Sequence, residues 1–451
     1  MSDTYRLSIS ETIREIANKN ISPIELVETL LNRIDELDPD LKAWVTVDRE
    51  DVIGQAKQTE IDQERGIIKP LQGVSVGLKD IFYTAGMRTS ACSKIFSEFV
   101  PTYDATSVAK LKEAGAIIIG KAVTTEFASS DPSPSRNPWN LNHTPGGSSS
   151  GSSVAVATGM CTAALGSQTG GSTCRPAAYN GIVGLKPTYG RISRHGVVPL
   201  SWSLDTVGIL VKSVEDAALM LQVMSGYDPL DPRSADESVP NFIEQMKHHE
   251  QKPVIGLIKD FFFDHSTPEV VTHTEQVVQK LASSGAEIRE MTLPDSFGSS
   301  HACQRIVSNV EAAAFHREWY KERAEEYGPK IRGNIEMGML VSGIDYLQAQ
   351  RLRRQFRIDM VNMLSGVDAL LMPTTPAPAP NDLTTTGDAV FQAPWTSSGL
   401  PTITIPSGLA TNGLPLGTQL AGLTFKEGPL LGVAKWCEEV LNVDLWPTDY
   451  I

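Results

Sequence analysis

Several things are missing from this sequence. No run of about 18 or more apolar residues is present, so no segment reads as a membrane-spanning helix. Basic residues are few: Lys and Arg number 39 against 53 Asp and Glu, a formal net charge of −14. A chain so acidic lacks the cationic footprint of a nucleic-acid binder or a protein that docks on anionic lipid. The expected partner is a small molecule or another protein, and the chain itself is expected as a monomer or homodimer. The five cysteines (Cys92, Cys161, Cys174, Cys303 and Cys437) are an odd, scattered set with no CxxC pair. That argues against a disulfide framework and against a zinc site, and it fits free thiols in the cytoplasm. The start, Met1 to Arg6, shows no apolar signal core. No internal repeat suggests a solenoid. With 41 % hydrophobic and 20 % charged residues among 451, a large buried core is easily built.

The periodic segments mix helix and strand. Ser22-Pro23-Ile24-Glu25 is a capping box with proline at the first helical position, and Leu26, Leu30, Leu31 and Ile34 then follow at helical spacing. Gly73 to Leu78 reads as a short buried strand leading into Lys79 and Asp80. Val108 to Leu111 and Val270 to Leu281 are helix faces. Each is followed by a stop glycine, Gly115 or Gly285, and then by a strand at Ile117–Ile119 or around Ile288. Val254–Ile258 and Ala369–Met372 are further buried strands. Ile403–Ile405 and Leu416–Leu423 flank Asn412-Gly413, a hairpin signal. The pattern predicts an α/β fold: a large mixed β-sheet, partly antiparallel, covered by helices on both faces.

Three segments read as irregular. Residues 129–153 are serine-rich, with Pro132, Pro134, Pro138 and Pro145. Residues 166–173 (GSQTGGST) are a second glycine-serine stretch. Residues 373–392, rich in Pro and Thr, are too long for a simple connection and read as a functional loop.

These stretches suggest chemistry. Gly147-Ser148-Ser149-Ser150-Gly151 matches G-x-S-x-G, but a nucleophile elbow needs a strand before it. Here Asn137 to Pro145 precedes it, with two prolines and three asparagines. No lysine follows in the phosphate-loop pattern. Ser107-x-x-Lys110 lacks its companion motifs and reads as chance. Gly170-Gly171-Ser172 places free backbone N–H groups beside a hydroxyl, as an oxyanion hole next to a nucleophile requires. A serine needs a base. Only His143 and His195, of eight histidines, lie near these loops in sequence. A lysine whose pKa is lowered by burial can serve instead, and Lys79, at the end of an apolar strand, is the candidate.

Lys79, the GGSSSGS run, the GGS run, Gly184 to Arg191 and Ser203 to Gly208 together resemble the amidase signature family. The resemblance is close over 70–215 and weaker over 365–425. It implies a single domain spanning 1–451, with 225–365 shaping the substrate site. It also implies a Ser–cis-Ser–Lys triad: Ser172 the nucleophile, Ser148 the bridge and Lys79 the base, with Ser149 in support. The N–H groups of Thr169, Gly170 and Gly171 would form the oxyanion hole. No metal or cofactor is implied. The expected reaction is hydrolysis of a small-molecule amide, or of a carbamate (urethane) or ureide, through an acyl-enzyme. The alternative is the glutaminase A subunit of a tRNA-dependent amidotransferase, and a non-catalytic binding protein is a third reading. Many members carry Asp where this chain has Gln168 and place Arg two residues after the nucleophile, whereas Arg175 lies three after Ser172. Ser129, Arg175 and Trp395 are candidate substrate contacts. Arg175 could hold a substrate carboxylate or pair with a buried acid to fix its loop. Arg191 leans towards the structural role. Trp395 could line a cleft beside the long loop.

Overall fold

The computed structural model describes residues 4–247 and 252–447. Met1 to Asp3, part of the start read above, lie outside the described residues. Eleven strands are described: β1 (Trp44–Val47), β2 (Ser75–Lys79), β3 (Ile117–Ala122), β4 (Ala163–Gln168), β5 (Val183–Lys186), β6 (Thr206–Val211), β7 (Val254–Ile258), β8 (Glu287–Met291), β9 (Ala369–Pro373), β10 (Thr402–Leu409) and β11 (Pro415–Ala421). They form one sheet in the order β1-β3-β2-β4-β6-β5-β10-β11-β9-β7-β8. β3–β2–β4 and β9–β7–β8 run parallel, the stretch β4-β6-β5-β10-β11-β9 between them is antiparallel, and the edge strand β1 pairs antiparallel with β3.

Local sequence explains many boundaries. Ser22 caps helix Pro23–Leu41 in a capping box with Glu25, and Leu26, Leu30, Leu31 and Ile34 of that helix are buried. Full burial of such a side chain contributes about 1.5–3 kcal/mol. Gly115 (φ +87°) and Gly285 (φ +109°) end the helices Thr106–Glu113 and Pro268–Ser283 and release the chain into β3 and β8. Asn412-Gly413 turns β10 into β11, which pair antiparallel.

The two-residue period of the strands fills both faces. Ile117, Ile119, Ala164 and Leu210 pack with Val27, Leu31 and Val154 of the helices on one side. Ile118, Leu165 and Ile209 pack with Val108, Leu221 and Leu431 on the other. Two of the irregular segments are more ordered than expected. Residues 166–168 belong to β4 and pair with β6, Gly166 lying opposite Gly208. Helix Ser150–Ala157 begins inside the serine-rich stretch. In both places tertiary burial outweighs the weak strand and helix propensities of Gly and Ser. Residues 374–392 form no helix or strand, as expected. No helix among the described residues is long and apolar enough to cross a membrane.

Candidate active site

Lys79 ends β2 and is completely buried. Its Nζ donates to Ser148 Oγ at 2.7 Å and to Ser167 Oγ at 2.7 Å. Asp80, the next residue, faces away and accepts from Ser90, so it does not pair with Lys79. Burial disfavours the ammonium and lowers the Lys79 pKa to about 7, with Asp205 and Cys92 opposing the shift. A neutral amine is therefore accessible near neutral pH.

Ser148 follows a cis peptide bond from Gly147. Its neighbour Ser149 stands before helix Ser150–Ala157 and binds both backbone groups of Ser167. The Ser149 Oγ donates to the Ser167 carbonyl at 3.3 Å and accepts from the Ser167 N–H at 3.2 Å. Ser149 thus acts on the lysine one residue removed, by fixing the serine that binds it. Gly166 makes room: a Cβ there would lie 2.7 Å from Ser149 Oγ. The Ser149 N–H also donates to the Ser172 carbonyl at 3.3 Å, which ties the two glycine-serine loops together.

Ser172 is 8 % exposed and lines a cavity of about 370 Å³. Thr169, Gly170, Gly171, Ser129 and Arg175 line the same cavity. The N–H groups of Gly170 and Gly171 find no partner among the described residues and remain available to an incoming oxygen. No histidine lines this cavity; His195 stacks on Tyr103 elsewhere.

Gln168 holds the turn that carries Ser172. Its Oε1 accepts from the N–H groups of Thr173 and Cys174, each at 3.0 Å, and its Nε2 donates to Thr396 Oγ1 at 3.2 Å. Thr396 in turn donates to the Gly170 carbonyl at 3.0 Å. A carboxylate could accept the same two N–H bonds, so the amide keeps that geometry and adds a donor.

Two expected substrate contacts need correction. Arg175 turns its terminal nitrogens to the protein: it donates to the Gly147 carbonyl at 2.6 Å, to Thr386 Oγ1 at 3.1 Å and to the Gly387 carbonyl at 2.8 Å, while its buried Nε has no partner among the described residues. It braces the long loop against the Ser148 loop through carbonyls and a hydroxyl, and it forms no ion pair among the described residues. Trp395 is fully buried in an apolar cluster with Phe262, Phe356 and Phe391, because its short helix turns that side chain into the core. Ser129 does line the cavity, where Asn334 Nδ2 donates to its Oγ at 3.3 Å. Arg191 forms a buried ion pair with Glu427 at 3.2 Å.

Other residues had no sequence signal of their own. Ser167 lay inside a stretch read as loop. Asp205 accepts from Thr169 Oγ1 and from the N–H groups of Leu200 and Ser201. Gln304, on helix Ser300–Arg323, donates from Nε2 to the Thr169 carbonyl at 3.0 Å. Only the tertiary fold brings that helix to the glycine loop.

Comparison with known proteins agrees with this geometry. The Amidase family profile matches residues 25–431. The A subunit of the glutamyl-tRNA(Gln) amidotransferase of Geobacter sp. (strain M21) is 39 % identical, covering 96 % of each chain. The solved structure of the corresponding A subunit from Thermotoga maritima superposes with a TM-score of 0.81 at 31 % identity, covering 97 % of this chain and 96 % of that one. The native peptide amidase from Stenotrophomonas maltophilia superposes with a TM-score of 0.86 at 28 % identity, covering 98 % of each. This chain belongs to the Amidase family and is an amidase-signature hydrolase of carbon–nitrogen bonds.

Proposed function

We propose that the chain, acting as one domain, hydrolyses a carboxamide through a serine acyl-enzyme. The observation that carries this reading is the buried Lys79 Nζ against Ser148 Oγ at 2.7 Å. Neutral Lys79 accepts the Ser148 proton as Ser148 accepts that of Ser172. The Ser172 Oγ–carbon bond forms, and the oxyanion faces the N–H groups of Gly170 and Gly171. The carbon–nitrogen bond then breaks as Ser148 returns a proton to the leaving nitrogen. Water, deprotonated through the same two groups, attacks the acyl-enzyme and releases the acid.

The relatives support a role as the amide-hydrolysing A subunit of a glutamyl-tRNA(Gln) amidotransferase. In that role a hetero-assembly replaces the expected monomer or homodimer, and the expectation of no nucleic-acid partner falls for the assembly as a whole. With a net charge of −14 this chain is poorly suited to grip RNA, so that task would fall to other subunits. A stand-alone amidase is the second reading. Gln168 and the Cys174-Arg175 pair, which depart from the subunit pattern, favour it. Five free thiols support a reducing, cytoplasmic setting for either role.

The test is ammonia or amine release by the purified chain alone from glutamine, a small aryl amide and its matched carbamate. Cleavage of the aryl substrates alone supports the stand-alone role, and the amide-to-carbamate ratio names its class. Release from glutamine only, enhanced by partner chains, supports the subunit role. A chain inert to all three, with or without partners, would overturn the hydrolase.

A further inference from the structure

Helix Gly343–Met363 is bound to the body of the protein along one side. Ala349, Phe356 and Met360 on that side are buried, and Arg353 between them donates to the Ser203 carbonyl at 3.1 Å and to the Ser397 carbonyl at 3.2 Å. Ile344, Leu347, Arg351, Arg354 and Ile358 lie on the opposite side and are exposed. Their alternating steps of 3 and 4 residues are the a–d repeat of a coiled coil, so the five side chains form one seam along the helix. Ile344 is 80 % exposed and Leu347 64 %, and Leu340, at the end of the preceding helix Pro329–Leu340, is 82 % exposed. Large apolar side chains gathered in the open like this mark an interaction surface.

The charge of the seam is opposite to that of the molecule. Acids outnumber bases in the chain, 53 to 39, yet the two charged positions of the seam are arginines. Neither Arg351 nor Arg354 forms an ion pair or a hydrogen bond among the described residues. The acids of these two helices are taken: Asp345 accepts from Ser342, Asp359 from Ser296 and Gln355, and Glu336 from Tyr320 and Arg332.

We propose that this seam docks an amphipathic helix of a partner protein, with apolar side chains opposite Ile344, Leu347 and Ile358 and carboxylates opposite Arg351 and Arg354. The proposal deepens the hetero-assembly reading, and rests on it for the existence of a partner. A carboxylate meets a guanidinium bidentately, so acids at two positions of the incoming helix satisfy both arginines as the seam closes. A second copy of this chain fits worse. Arg351 is the middle residue of the five, so in parallel or antiparallel pairing it faces its own counterpart, and like charges are set together. An anionic membrane also fits worse, because the chain carries a net charge of −14 and this helix has no Lys or Trp to seat among headgroups.

The experiment titrates the full chain into a fluorescent, stapled three-heptad helix with Leu at a and d of the outer heptads and Glu at a and d of the central one. A matched helix carries Lys in place of Glu. The order is symmetric, so either chain direction presents the same face. Fluorescence polarisation should show the Glu helix bound about 10- to 100-fold more tightly than the Lys helix. Arg351→Glu combined with Arg354→Glu should reverse that preference, and Ile344→Asp combined with Leu347→Asp should abolish binding of both. Amide hydrolysis by the isolated variants should match the wild type. Turnover with and without partner chains reports on the assembly reading, while helix binding reports on the seam. Equal affinity for the two helices, no binding of either, or an unchanged preference in the charge-reversed variant would overturn the proposal. A homodimer in light scattering, or capture on phosphatidylglycerol vesicles, that is lost in Ile344→Asp with Leu347→Asp would overturn it in favour of a second copy or a membrane.

Discussion

Replacing Lys79 by Met keeps most of the side-chain volume and removes the proposed base. In the wild type the base is poised by burial at about 7, against an ordinary 10.5. Acylation needs the neutral amine, which makes up about half of the molecules at pH 7, about a tenth at pH 6 and about a hundredth at pH 5. The initial rate of amide hydrolysis should therefore fall about tenfold per pH unit below 7 and level off above 8. Removing the base should cost a factor of about 10²–10⁴ and abolish that profile. Stability should depend on pH through the same group. Between about pH 7 and 10.5 the unfolded chain binds a proton at Lys79 that the folded chain lacks, so stability rises with pH across that window. Below pH 7 both states hold the proton, and the full burial cost of about 5 kcal/mol weighs on the folded state, at about 1.4 kcal/mol per pH unit. Lys79→Met escapes that cost but leaves Ser148 and Ser167 without their partner, at about 1 kcal/mol each. The variant should be about 3 kcal/mol more stable than the wild type at pH 6, and the gap should close near pH 9. Ammonia release from pH 5 to 9, paired with denaturant titrations at pH 6 and 9, measures both effects. A flat rate profile in the wild type, or a Met variant that keeps the inflection, would refute the reasoning.

Two further substitutions probe the scaffold. Gly171→Ala would place a Cβ 2.5 Å from Gln392 Oε1, and Gln392 is held by its own bond to the Thr374 carbonyl. The displaced N–H should lower kcat by about 10²–10³ with an unchanged circular dichroism spectrum, and full activity would discount the oxyanion role of this loop. Glu427→Ala strands the buried Arg191 guanidinium and should cost about 3–5 kcal/mol of unfolding free energy. A loss below 1 kcal/mol in a denaturant titration would show that the pair is not structural.

How much was legible in the sequence depended on how local the cause was. The capping box at Ser22, the stop glycines Gly115 and Gly285 and the Asn412-Gly413 turn act within a few residues, and each appears in the structure where it was read. The burial of Lys79 was legible because an apolar strand leads straight into it. The failures have long-range causes. Gly166 to Gln168 carries no strand propensity and is a strand because β6 pairs with it. Arg175 binds carbonyls about 28 and 212 residues away along the chain, which no spacing announces. Trp395 sits in the core because Phe262, Phe356 and Phe391 gather around it. Gln304 lies on a helix without a motif, and only the packing of that helix against the glycine loop gives it a place at the site.

The central claim is that Ser172 is the nucleophile and that Lys79 activates it through Ser148. A serine-directed phosphonate probe, followed by peptide mass spectrometry, tests it most directly. The account predicts one adduct, on Ser172, formed at wild-type rate only when Lys79 is present. An adduct on Ser149, or undiminished labelling of Ser172 in Lys79→Met, would contradict it.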